Sequence, residues 1–192
     1  MSPDLRLMCS PSSVYRTLAP RAAGTTPRTA LARPLLVAVV IGCAMAISAT
    51  GRITTGLAVS CILCWSFVPA LQMLTGSRML TPHTGGLGTA ARMDLWFMGH
   101  APWSLWMLAA AAIFTCSAET TRIEVFVAAS AVIPAIWTGI ITYAFCRVVQ
   151  QAPVRSAVRR AIAHQAVTLA LIVAYLFLVA RPWARVLELA RL

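Results

Sequence analysis

The sequence predicts an all-α protein, a polytopic integral membrane bundle of about five transmembrane helices. Three observations predict it. Of 192 residues, 59% are hydrophobic and only 11% charged, whereas a soluble domain carries about 25% charged residues. Mean hydropathy is +0.79, and a soluble fold of this length would be left with large exposed apolar patches. Charge is also missing from five long runs, 34–51, 53–77, 95–118, 125–146 and 161–180, each 18 to 25 residues long. A hydrocarbon core of about 30 Å takes about 20 helical residues at about 1.5 Å each. A helix satisfies its own backbone polar groups, which lipid requires. The runs predict spans near 34–51, 53–75, 99–118, 124–146 and 160–180. The membrane unit then covers 34–181, between a basic cytoplasmic segment 1–33 and a short tail 182–192.

The first element lies in the basic segment, which is too long for the charged region of a signal peptide. Ser10 is placed as an N-cap with Pro11 in the first turn. Val14, Tyr15 and Leu18 then share one face, with Arg16 and Arg21 nearby. This describes a short helix on the membrane surface or a poorly ordered tail. Only Arg52 separates the first two runs, so 34–77 forms two spans, or one span and a re-entrant segment. Together the runs hold twice the spanning length, which favours two. Val40-Ile41-Gly42-Cys43 loosely resembles a lipoprotein cleavage box, but apolar residues follow it, where a mature lipoprotein turns polar. Ala38, Gly42 and Ala46 make a small-xxx-small face for close helix packing.

Pro69 in the second span frees the carbonyl of Trp65, and Pro134 in the fourth frees that of Ser130, so each span either kinks there or packs around the proline, the commoner case. Thr-Gly-Gly-Leu-Gly at 84–88 is a connector; no Gly-Lys-Ser/Thr follows to make it a phosphate loop. Residues 93–100 form a short interfacial helix ahead of Pro102. Trp96, Trp103 and Trp106 mark the membrane interface, with Trp65 and Trp183 as further anchors. The last helix starts after Pro153, and its Arg155, Arg159 and Arg160 set the topology or attract anionic headgroups, the first reading being favoured.

The net charge is +11, and all sixteen basic side chains are arginine. They sit between the apolar runs and not in one patch, so no nucleic acid is expected as a partner. With five spans and the N-terminus inside, eleven arginines fall inside and five outside. That bias orients the bundle N-in, in a bacterial cytoplasmic (inner) membrane.

Candidate chemistry is sparse. Cys61-Ile-Leu-Cys64 is a C-x-x-C pair, able in principle to cycle between thiols and disulfide, with Cys116 a lone further candidate. Cys9, Cys43 and Cys146 complete the set and read as small apolar side chains. His100 and His164 fall near the same ends of their helices and could face one another around haem or a metal. The carboxylates Asp4, Asp94, Glu119, Glu124 and Glu188 all lie outside mid-span positions, which disfavours a coupled transporter. No nucleophile–base pair or two-carboxylate site assembles. The sequence therefore names no catalytic residue, no metal ligand and no cofactor.

Residues 5–18, Leu-Arg-Leu-Met-Cys-Ser-Pro-Ser-Ser-Val-Tyr-Arg-Thr-Leu, precede a basic stretch and Arg33-Pro34-Leu-Leu-Val. This pattern resembles the bacterial members of the Yip (Ypt-interacting protein) membrane family. There a Ser-Pro, aromatic, Leu surface segment precedes a five-helix N-in bundle. The acidic-Leu-Tyr-Gly-Pro signature of eukaryotic members is absent. The resemblance implies no catalytic residues. The expected function is a non-enzymatic bundle that scaffolds or assists other membrane components, with lipids and other membrane proteins or a second copy as partners. The alternatives are a redox or haem-binding protein using Cys61/Cys64 or His100/His164, and a transporter subunit.

Overall fold

The computed structural model describes residues 2–79, 86–116, 120–175 and 177–178. The tail 182–192, Trp183, Glu119, Glu188, the end of the 160–180 span and the first residues of the 84–88 connector lie outside the described residues. The fold is an all-α bundle, and five helical stretches are long and apolar enough to cross a membrane.

The N-terminal segment folds onto the bundle. It forms α1 (Pro3–Cys9), α2 (Pro11–Leu18) and a 3-10 turn, Ala19–Gly24. Ser2 caps α1. Ser10 stands at the N-cap of α2 but makes no side-chain cap bond, and Pro11 opens the helix. The shared face of Val14, Tyr15 and Leu18 packs against protein: Tyr15 and Leu7 are fully buried. The pair is thus a plug on the bundle and neither a free surface helix nor an unpacked tail.

The first crossing helix, α3 (Pro27–Thr50), starts about two turns before its apolar run. The cause is local: Thr26 and Thr29 form a capping box and Pro27 sits in the first turn, a strong start signal in polar surroundings. Gly51 ends it with φ +69°, a left-handed cap that glycine adopts without steric cost. The second crossing helix is α4 (Thr55–Trp65) plus α5 (Phe67–Met79). Residues 34–77 therefore lie in two long helices, each long and apolar enough to cross a membrane. Their contact is close: a Cβ on Gly42 would stand 2.5 Å from the Ile62 Cα. Ala38 and Ala46 are buried beside it.

The third crossing helix joins α6 (Thr89–Phe97) through a 3-10 turn, Met98–His100, to α7 (Ala101–Cys116). The fourth joins α8 (Thr120–Ser130) to α9 (Val132–Val148), and the fifth is α10 (Val154–Tyr175). The second and fourth are each interrupted once, at Ser66 and at Ala131, in each case three residues before the expected proline. Pro69 and Pro134 leave the carbonyls one residue earlier, those of Trp65 and Ser130, without their helical donor. The fourth joint is tied down: Trp106 donates to Ser130 Oγ at 2.9 Å, and Ser130 donates to the Val127 carbonyl at 2.8 Å.

Side-chain contacts fix which ends meet. Arg33 Nε donates to Asp94 at 2.7 Å, joining the starts of α3 and α6. Gly76, near the end of α5, lies against Trp96. Arg160 Nη1 reaches Gln150 Oε1 at 3.2 Å, joining the start of α10 to the end of α9. The deepest core, with Leu7, Tyr15, Leu95, Phe97, Ile141 and Phe145, gathers at this end.

Candidate functional site

Trp96 is the hub of the interior. It was expected at the membrane interface, but it is 4% exposed. Local packing explains this: Leu95, Trp96 and Phe97 at the end of α6 and Met98, Gly99 and His100 in the 3-10 turn form one continuous buried run. His100 and His164 meet the indole edge-on, with ring centroids 4.9 and 5.0 Å from it. The structure thus brings the two histidines into one cluster, as their helix-end positions suggested.

Each imidazole has a distinct setting. His100 stacks on Phe97 at 4.7 Å. Its Nδ1 lies 3.2 Å from the Phe97 carbonyl, so Nδ1 carries the proton and donates. His164 Nδ1 is buried with no hydrogen-bond partner among the described residues. Nearby on the same helix, Thr168 Oγ1 is 3.4 Å from Thr75 Oγ1 on α5, and Phe67 stacks on Tyr175 at 3.6 Å. The indole is thus in ring contact with both imidazoles. The cavity beside Trp96, between Gly76 and Phe145, is about 40 Å³, enough for a water or two. Among the described residues, no group of three His, Cys, Asp or Glu is placed to hold a metal ion.

The cysteines are dispersed. Cys61 is half-buried near Cys64 and Cys43, Cys64 faces out of the bundle, and every cysteine is a free thiol. Reactive C-x-x-C thiols rest at helix N-termini, where free N–H groups stabilise a thiolate. Here α4 starts at Thr55, so Cys61 lies beyond the first turn, among N–H groups already bonded. Cys43 is mid-helix in α3, and Cys116 ends α7, exposed.

A charged cluster that sequence reasoning missed holds the plug. Arg33 donates to Asp94 through Nε and to Asp4 through Nη1. One guanidinium thus ties α1 to α3 and α6. Trp137 on α9 adds a bond to the Met8 carbonyl at 2.9 Å. Tyr15 meets Phe145 edge-on at 5.6 Å, and its hydroxyl is buried without a partner among the described residues. Burial pushes the Tyr15 phenol well above its ordinary range, and neighbouring Cys146 adds to the shift. The signal was present in the sequence: Arg33 and Asp94 each stand at the border of an apolar run, where an unpaired charge is costly.

No protein-family model, curated protein or solved structure matches the chain.

Proposed function

We propose that the chain is a non-catalytic integral membrane protein that scaffolds or assists other membrane components through its outer helical faces. The observation that carries this reading is the contrast between its inside and its outside. The interior cluster is packed, and the hollow beside Trp96 is only about 40 Å³. The outer faces carry large exposed apolar side chains, among them Leu63, Val125, Phe126 and Ile136. Lateral contact within the bilayer, with lipid, other membrane proteins or a second copy, is what such faces serve.

The reading includes an N-terminus inside and a bacterial cytoplasmic membrane. Support comes from the arginines: the bundle end that holds Arg33, Arg92 and Arg147 is much richer in them than the end at Arg52, and positive charge stays inside. The resemblance to bacterial Yip proteins implies the same orientation.

Photo-crosslinking in native membranes tests the reading. A diazirine residue replacing Leu63 or Val125 should join the chain to a discrete membrane protein or a second copy. The same residue at buried Ile141 should give internal products. Lipid adducts alone at both outer positions would sink the reading.

A redox or haem-bearing role is the second reading, favoured by one observation, the meeting of His100 and His164 on Trp96. A Soret band from purified protein, lost in His164→Ala, would establish it in place of the scaffold.

A further inference from the structure

The outer surface between α9 and α10 carries a groove of about 730 Å³. Ala135, Gly139 and Tyr143 line it from α9, Ala161 and Gln165 from α10, and Trp103 from α7. Its α9 wall runs from residue 131 to 143 and its α10 wall from 158 to 169. At 1.5 Å per residue these are about 18 and 16 Å. One leaflet is about 15 Å deep in hydrocarbon, half of a core of about 30 Å, and a crossing helix would need the whole. The groove therefore has the length of one acyl chain.

Its two ends differ in charge. At the α9 C-terminal end, Tyr143 is shared with a second hollow of about 350 Å³, walled by Ser12, Arg16, Arg147 and Val148. Arg16 and Arg147 are exposed, and neither has a carboxylate partner among the described residues. Arg147 spends one donor on the Ala152 carbonyl at 2.6 Å, and a guanidinium has five. The far end is lined by Ala131, Val132 and Leu169, without charge.

We propose that this is a bound-lipid site for an anionic phospholipid. The phosphate rests between Arg16 and Arg147, with Ser12 and Tyr143 offering hydroxyls, and one acyl chain lies along the α9–α10 groove. Arginine suits a phosphate because its fork of N–H groups meets two oxygens at once. Arg16 belongs to the plug and Arg147 to α9, so the lipid headgroup bridges the N-terminal segment and the bundle. The site is independent of the scaffold reading.

Native mass spectrometry from nanodiscs with equal phosphatidylglycerol and phosphatidylcholine tests it. The wild-type chain should retain one lipid, with phosphatidylglycerol favoured several-fold. The double variant Arg16→Gln/Arg147→Gln should bring that preference to about one while retention persists. Gly139→Leu should lower retention of both lipids several-fold. A Cβ at Gly139 meets nothing within 4 Å, so this side chain fills the groove without disturbing the fold, and Gly139→Ala is the control. Equal retention of the two lipids by the wild-type chain overturns the proposal, as does a preference unchanged in the arginine variant. A dimer that Gly139→Leu abolishes, with no retained lipid, would assign the groove to a second copy and overturn it equally.

Discussion

Tyr15 concentrates the energetics of the plug in one ring. Its ring is fully buried against Phe145, while its hydroxyl has no partner among the described residues. Removing the ring should cost about 3–5 kcal/mol. Removing only the hydroxyl should be neutral or stabilising by about 1 kcal/mol, because an unpaired buried hydroxyl is a penalty. Thermal unfolding in detergent should therefore order the variants Tyr15→Phe, wild type, Tyr15→Ala from most to least stable. A Tyr15→Phe chain less stable than wild type would show that the hydroxyl has a partner. The pH dependence has a definite sign. The phenol's folded pKa is raised, so its stabilising contribution is complete below the unfolded value of about 10 and is lost as pH rises above it. Melting temperature should fall above about pH 10 in wild type, and fall less in Tyr15→Phe. Gly42 presents the opposite case. A Cβ there overlaps the Ile62 backbone, so Gly42→Ala should destabilise by about 1–3 kcal/mol. Gly139→Ala, facing open space, should leave stability unchanged in the same assay.

At the scale of elements, Arg33 is the pin that holds α1 against α3 and α6. Arg33→Gln leaves Asp4 and Asp94 facing one another without a cation. Hydrogen exchange in residues 3–18 should rise while exchange in α9 stays slow; unchanged exchange in the plug would mean that apolar burial of Leu7 and Tyr15 suffices. The plug also marks where sequence reading stopped. The number and rough placement of the long helices follow from where charge is absent, since lipid imposes that pattern locally. The joints at Ser66 and Ala131 were legible because proline removes a donor wherever it sits. The Ala38–Gly42–Ala46 face was legible for a similar reason, as the absence of side chain is itself the signal. The burial of Trp96 was not. An indole suits both an interface and a core, and only tertiary packing, such as the approach of His164 from α10, chooses between them. Tyr15 was placed on the correct face of α2, but what that face meets depends on α9, more than a hundred residues away. The candidate site was legible as two histidines and not as a cluster centred on Trp96.

For the molecule as a whole, the orientation is open to direct measurement. Gly24 and Ile53 are exposed on opposite sides of α3. In a cysteine-free chain, Gly24→Cys and Ile53→Cys keep every arginine in place. An N-in bundle predicts that a membrane-impermeant maleimide labels the second in intact cells and the first only after lysis; the reverse pattern would invert the topology. The joints have a consequence of their own. The stretch Thr55–Arg78 has 24 residues and Ile123–Val148 has 26. As straight rods they would measure about 36 and 39 Å, well beyond a hydrocarbon core of about 30 Å. A rigid rod relieves such mismatch by tilting as a whole or by stretching the surrounding bilayer. A jointed one can fold its excess at the joint, so each half sets its own tilt and the lipid is left undistorted. The melting temperature should accordingly vary little across bilayers of increasing acyl-chain length, and vary more once Pro69 and Pro134 are replaced by alanine.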